Sequence, residues 1–193
     1  PLGMKDAHMG VRPDMEARRV PLQALDTGGV PFPIEFLTAF DNPTIQKAAI
    51  PGAGSHATVF DLARFYQMWL NGGELNGVRL LSPAMVDLAT TIHTGDMEDR
   101  LIEPMRVTMH WPKIPANRGL GFWLRGTGIF PTYFGSLSSP RTFGHAGASS
   151  ILAWADPLRE LVFVGLTSGL IEEPRSISRW HLFSDLAQAC VVD

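Results

Sequence analysis

A histidine followed by a run of small residues is the part of this sequence best suited to chemistry. It reads Gly144-His145-Ala146-Gly147-Ala148. A histidine side chain can hold or release a proton near neutral pH. A glycine in a strand lets another backbone approach closely. Most isolated histidines at strand ends are structural residues, so a functional interpretation of this one depends on its context.

Other residues that could form a catalytic or metal site lack the spacing for it. The remaining histidines are His8, His56, His93, His110 and His181. None of them shows a His-x-x-x-His pairing, so no metal site is predicted, and no motif indicates a cofactor. Ser149 and Ser150 are not part of a Gly-x-Ser-x-Gly nucleophile elbow. Trp111, Trp123 and Tyr133 could line a substrate cleft, although large aromatic residues more often anchor a core or a loop.

The composition is typical of one compact globular unit. The chain has 193 residues, of which 45% are hydrophobic and 18% charged, enough for one buried core. Its formal net charge is only −3 with mixed signs, which argues against nucleic acid as a partner. Cys190 is the only cysteine, so an internal disulfide is impossible. No stretch approaches the roughly 18 apolar residues of a membrane span. The compartment stays undetermined.

Helices are predicted in the first part of the chain and at its end. Thr58 offers an N-cap and Asn71-Gly72-Gly73 a stop, with apolar residues at helical spacing between them. Ser82-Pro83 starts a second, short helix. Residues 11–54, which contain six prolines, and residues 94–118 are predicted to be irregular. A last helix begins at Glu172-Glu173-Pro174, and its predicted core positions are Ile177, Trp180, Ala187 and Cys190.

Strands are predicted between these helical parts. The β-rich runs cover residues 119–124, 142–146, 150–155 and 161–167. Asp156-Pro157 marks a hairpin, and the apolar run from Leu161 to Leu166 predicts a strand covered on both faces. We therefore expect one α+β domain. Residues 1–118 would be a helical and loop segment, and residues 119–193 antiparallel strands with a C-terminal helix packed on one face. The other face would be covered by the helical segment or by residues that this chain does not contain.

Three segments, in the same order along the chain, carry a family resemblance. They are Pro1-Leu2-Gly3-Met4-Lys5-Asp6, then Pro51-Gly52-Ala53-Gly54-Ser55 running into Asp61-Leu62-Ala63-Arg64-Phe65, and Gly144-His145-Ala146-Gly147-Ala148 followed by Trp154-Ala155-Asp156-Pro157. Together they resemble the β-lactamase-related serine hydrolases, which include class C β-lactamases, D-alanyl-D-alanine carboxypeptidases and certain esterases. Pro-Leu-Gly alone could be the remnant of an expression tag, but the longer match favours a native segment. The resemblance spans nearly the whole chain and implies the C-terminal part of a β-lactamase-like fold.

The resemblance implies three catalytic elements, of which this chain contains one. They are a Ser-x-x-Lys pair, a Tyr-x-Asn or Ser-x-Asn element, and a Lys-Thr-Gly or His-x-Gly strand. The residues three positions before the three lysines are Leu2, Thr44 and His110. The residues two positions after the two tyrosines are Met68 and Gly135. We interpret Thr44 before Lys47 as a chance match. In the family both absent elements lie upstream of the Pro-Leu-Gly-Met segment, so we expect them in a missing N-terminal portion.

The resemblance also implies a role for each residue of the His-Ala-Gly segment. His145 and Ala148 would be catalytic: His145 would take the place of the lysine, and Ala148 would donate its amide N–H to the oxyanion. Ala146 and Gly147 would form the wall that binds substrate. The complete protein would hydrolyse a small-molecule ester or amide, which could be a β-lactam, a D-amino-acid peptide or a carboxylic ester. This chain alone would be inactive. Two alternatives stay open: a non-catalytic binding or scaffolding member of the family, and an unrelated α+β protein.

Overall fold

Short elements make up the N-terminal third of the chain. The computed structural model describes residues 1–25, 34–148 and 151–192. The elements before residue 57 are β1 (His8–Met9), a 3-10 helix (Pro13–Arg18), β2 (Gln23–Ala24), α1 (Ile34–Thr38), a second 3-10 helix (Ala39–Asp41), α2 (Pro43–Lys47) and β3 (Ser55–His56). Each of these described elements has six residues or fewer, as the frequent prolines predict. Two adjacent glycines of this region, Gly28 and Gly29, lie outside the described residues.

The predicted central helix is confirmed as α3 (Val59–Leu70). The hydroxyl of Thr58 caps it by accepting a hydrogen bond from the Asp61 amide at 3.3 Å. The chain then turns at Gly73, which has a φ of 93°, and a Cβ there would collide with the carbonyl oxygen of Leu81. The next elements are β4 (Glu74–Leu75), β5 (Val78–Arg79) and α4 (Pro83–Ala89), which is capped by Ser82 as predicted.

The segment Pro1–Asp6 is an integral part of the fold. Leu2 is buried in a small apolar cluster with Met68 and Leu75. The Asp6 amide donates a hydrogen bond of 2.6 Å to the Asp61 carboxylate, and Arg64 donates to the carbonyl of Gly3. These contacts favour the native segment over a tag remnant.

One helix lies in a region predicted to be irregular. α5 (Glu103–Thr108) occupies part of residues 94–118, so the prediction is wrong there. Its proline, Pro104, stands in the first turn, where the missing amide costs no hydrogen bond. Met105 is its only buried residue. A helix this short with one buried side chain leaves no periodic pattern in the sequence.

Four antiparallel strands form the main sheet. They are β6 (Trp123–Leu124), β7 (Phe143–Gly147), β8 (Ile151–Asp156) and β9 (Leu161–Leu166), in the order β6-β7-β8-β9. The pairing of Asp156 with Leu161 closes the predicted hairpin. The predicted run 119–124 shortens to β6, because the Gly119 amide bonds to the Phe122 carbonyl and turns the chain back. A further strand, β10 (Gly169–Leu170), pairs in parallel with β2.

Helices cover both faces of the main sheet, so the fold is α+β as predicted. α6 (Glu173–Ala189) places Ile177 and Trp180 in the core on one face. A Cβ on Gly165 would collide with the Trp180 indole, so this glycine lets the helix pack closely on β9. On the other face α3 packs against β8 and β9. The second cover therefore comes from the helical segment, one of the two predicted sources.

Two details of this layer differ from prediction. Cys190 is exposed rather than in the core, because α6 ends at Ala189 and Cys190 caps it. All six residues of β9 are half-buried rather than covered on both faces. β9 is the outermost strand, and no strand among the described residues pairs with its outer edge. None of the described helices is both long and apolar enough to cross a lipid bilayer.

Candidate active site

A cavity of about 410 Å³ lies at the end of β7. Most of its lining is apolar. The residues around it are Gly52, Leu62, Phe65, Tyr66, Leu101, Ile102, Met105, Trp123, Tyr133, His145, Ala146, Gly147, Ala148, Ile151, Leu152, Ala153, Leu166 and Glu173. A concave, mostly apolar site with a few polar groups is the usual form of a small-molecule site.

All four residues predicted for the site line this cavity together. Ala146 is buried, Gly147 is half-buried, and His145 and Ala148 are exposed. The neighbouring strand β6 pairs with β7 only at Phe143 and Gly144. Among the described residues, the edge of β7 from His145 to Gly147 is therefore unpaired on the side of β6.

Backbone N–H and C=O groups point to opposite edges of a strand in successive residues, and this alternation shows which residues of β7 face the unpaired edge. The Arg125 amide donates to the carbonyl of Thr142 at 2.8 Å, which orients Thr142 toward β6. Backbone groups of alternate residues point to the same edge of a strand. Gly144 and Ala146 therefore also point to this side, and Ala146 lies beyond the end of β6. An extended segment could add to such an edge as a further strand.

The His145 ring is fixed by its own strand and by one aromatic neighbour. Its Nδ1 lies 2.6 Å from the carbonyl oxygen of Ala146, so the hydrogen is on Nδ1 and is donated. The ring centroid is 4.8 Å from that of Trp123. Burial of the inner side of the ring lowers the pKa of His145. The charge of Arg118 acts in the same direction, and the hydrogen bond to Ala146 opposes both.

Behind Trp123 lies an ion pair that the sequence did not indicate. The Arg118 guanidinium carbon is 4.4 Å from the centroid of Trp123, and Arg118 is ion-paired with Asp99. Arg118 and Trp123 are opposite each other across a tight turn. The glycines at 119 and 121 were the only local signal of this turn, and the contact with Asp99 joins residues 19 positions apart.

Two buried tyrosines also contact the site. The Tyr133 hydroxyl donates to the carboxylate of Glu173, and burial, together with the charge of Glu173, raises the pKa of Tyr133 well above its usual range. Burial likewise raises the pKa of Tyr66, against a hydrogen bond with the backbone of His145. Both tyrosines are therefore protonated at neutral pH. The sequence singled out neither Tyr66 nor Glu173 for the site.

Two of the three aromatic candidates belong to this site. Trp123 and Tyr133 pack in the core and also line the cavity, whereas Trp111 packs against the core but does not line the cavity. Thr44 and Lys47 are exposed on α2 and do not line the cavity. Ser149 and Ser150 lie outside the described residues. Within the described part of the chain, no three side chains of the metal-binding types His, Cys, Asp and Glu come together.

Comparison with known proteins identifies the class to which this fold and site belong. The family model named Beta-lactamase matches residues 1–188, so the chain belongs to the β-lactamase family. A relative in Escherichia coli O157:H7, named as a D-alanyl-D-alanine carboxypeptidase, is 30% identical over 121 residues, which are 61% of this chain and 24% of that protein.

Two solved structures support the same assignment. A β-lactamase from Mycobacterium bovis is 30% identical with a TM-score of 0.57, and the match covers 72% of this chain and 46% of that one. A penicillin-binding protein homologue from Caulobacter crescentus is 27% identical with a TM-score of 0.60, and here the match covers 94% and 48%. This chain therefore corresponds to about half the length of these solved structures and a quarter of the carboxypeptidase relative.

Proposed function

We propose that this chain forms the strand and oxyanion side of a serine hydrolase active site. The nucleophile and base would lie in an N-terminal portion of the same domain. The complete protein would cleave a small-molecule ester or amide through a serine acyl-enzyme, without a cofactor. The observation that carries this proposal is the unpaired edge of β7, which lies in the cavity with His145, Ala146, Gly147 and Ala148.

Each residue of this edge has a distinct role in the proposed reaction. Attack by a serine on a carbonyl develops negative charge on its oxygen, which needs hydrogen-bond donors already in place. The alternation of β7, continued by one residue, directs the Ala148 amide toward the cavity as one donor. Ala146 lies along the substrate, and His145 offers a hydrogen bond or assists proton transfer. A Cβ on Gly147 would come within 2.6 Å of the Ile151 side chain, so a larger residue would displace Ile151 as well as the substrate.

The proposed N-terminal portion is also the partner that suits the uncovered surfaces. The outer edge of β9 is apolar and, among the described residues, unpaired. On the adjoining helix α6, Leu182, Phe183 and Leu186 are exposed. Unpaired strand edges and contiguous apolar patches are normally covered in a stable protein. A strand and a helix from upstream would cover both.

Covalent labelling tests the proposal. The isolated chain and a longer polypeptide with the upstream sequence are each treated with a fluorophosphonate and a labelled penicillin, then mapped by mass spectrometry. We expect label only on the longer polypeptide, on the serine of a Ser-x-x-Lys sequence. Label on Ser149 or Ser150 of the isolated chain would overturn the proposal. An upstream sequence without Ser-x-x-Lys and Tyr-x-Asn would instead favour a non-catalytic binding or scaffolding protein.

The substrate class follows from the same longer polypeptide. The similar proteins are named as a carboxypeptidase, a β-lactamase and a penicillin-binding protein homologue. A panel with a chromogenic β-lactam, a D-alanyl-D-alanine peptide and a nitrophenyl ester covers the three classes that the His-x-Gly strand allows. The class with the highest kcat/KM identifies the substrate.

A further inference from the structure

The His145 ring has one defined tautomer in this site. Because Nδ1 donates to the Ala146 carbonyl at 2.6 Å, the neutral ring carries its lone pair on Nε2. No described residue hydrogen-bonds to Nε2, and His145 lines the cavity. Trp123, at 4.8 Å and tilted by 41°, restricts rotation of the ring about its side-chain bonds. The geometry therefore leaves a hydrogen-bond acceptor for the cavity.

The positive charge of Arg118 makes the protonated form of His145 unfavourable. The electron-rich face of an indole attracts one cation, and Arg118 at 4.4 Å already occupies Trp123. A protonated His145 would be a second positive charge on the same indole. The other ionisable groups near His145 are Tyr66 on α3, Tyr133, and Glu173 on α6. The Glu173 carboxylate accepts a hydrogen bond from the Tyr133 hydroxyl. Asp99 is ion-paired with Arg118.

We propose that Trp123 and Arg118 are positioning residues that hold His145 neutral, with Nδ1 protonated and Nε2 as an acceptor toward the cavity. This inference rests on the proposed function and refines it. A neutral His145 does not act as the cation that a lysine would provide at this position. It accepts a hydrogen bond from an N–H or O–H of the substrate or of the nucleophile. The site therefore selects substrates that present a donor, rather than a carboxylate, to this histidine.

Titration of the isolated chain tests the inference without any turnover. Long-range ¹H–¹⁵N NMR spectra of the histidine rings report the tautomer and the pKa of His145. We expect the Nδ1–H tautomer and a pKa below the ordinary value of about 6.5. Arg118→Gln removes a nearby positive charge and should raise this pKa. Asp99→Asn leaves Arg118 unneutralised and should lower it.

Two further variants complete the test. Trp123→Leu should give a mixture of tautomers, because the ring is no longer restricted. Arg141→Gln removes an exposed arginine on the segment before β7, which does not act on His145, and should leave the titration unchanged. If Arg118→Gln does not fold, the change in the pKa of His145 caused by Asp99→Asn tests the proposal by itself. A pKa of His145 at or above 6.5, an Nε2–H tautomer, or no response to either charge change would refute the proposal. Because no acylation is measured, failure here is distinct from failure of the proposed hydrolase function.

Discussion

Replacing His145 by alanine separates a role in the site from a role in the core. The side chain is exposed, so its removal leaves no internal cavity. It loses the hydrogen bond to Ala146, for about 0.5–1.5 kcal/mol, and the ring contact with Trp123, for about 0.5–1.5 kcal/mol. We expect a total loss of about 1–3 kcal/mol in the free energy of unfolding. Turnover by the longer polypeptide should fall about 10²- to 10⁴-fold, the range of a positioned acid–base group.

The matched comparison is a residue of the same sheet that is fully buried. Trp154 is opposite Gly144 and has 0% of its surface exposed, so Trp154→Ala should cost about 3–5 kcal/mol. Urea unfolding of the isolated chain, followed by circular dichroism, measures both losses, and steady-state kinetics of the longer polypeptide measures turnover. A His145→Ala variant as unstable as Trp154→Ala, with unchanged turnover of the folded enzyme, would remove His145 from the site.

Four further outcomes are expected. Ala148→Pro removes the amide N–H proposed as an oxyanion donor and should cost on the order of 3 kcal/mol in transition-state stabilisation, measured as kcat/KM, while Ala148→Ser should be tolerated. The isolated chain should self-associate through β9 and α6, and a clean monomer in light scattering would contradict the uncovered edge. Asp156, with 0% exposure, accepts hydrogen bonds from Ser139 and Gln188. Asp156→Ala leaves these buried donors without an acceptor and should lower the free energy of unfolding in urea by about 2–4 kcal/mol, against about 0.5 kcal/mol or less for exposed Asp87→Ala. Burial lowers the pKa of His56. The contribution of His56 to the free energy of unfolding is therefore complete above about pH 6.5 and is lost as the pH falls through the pKa of the folded state. His56→Phe should reduce the acid sensitivity of the melting temperature, and an unchanged pH profile would exclude His56 as its source.

Local signals predicted the parts of the fold that depend on neighbours in sequence. The Thr58 cap and the glycines after Leu70 define α3 to the residue. The hairpin at Asp156-Pro157 follows from its turn residues. The His-Ala-Gly segment, which stands out in the sequence as small residues next to a histidine at a strand end, lines the cavity.

The features that were missed depend on contacts between distant residues. Arg118 is ion-paired with Asp99, 19 positions away, and Tyr133 is hydrogen-bonded to Glu173, 40 positions away. No local sequence pattern predicts either contact. The burial of β9 was mispredicted for a related reason. An apolar run shows that a strand avoids water, but the sequence does not show which part of the protein covers it.

The β7 side of the proposed active site is positioned by contacts within this chain. In this chain, β7 is held between β8 and the end of β6, and the His145 ring is held by Ala146 and Trp123. These supports all come from within residues 118–156, so this part of the chain positions the strand and the imidazole by itself. Preorganised groups of this kind stabilise a transition state because they do not have to reorient during the reaction. A nucleophile from an N-terminal portion would therefore gain activity by docking correctly against β7, and the apolar edge of β9 would set that docking. Substitutions in β9 should then act on how much active enzyme assembles, whereas substitutions at His145 should act on how fast each assembled molecule turns over.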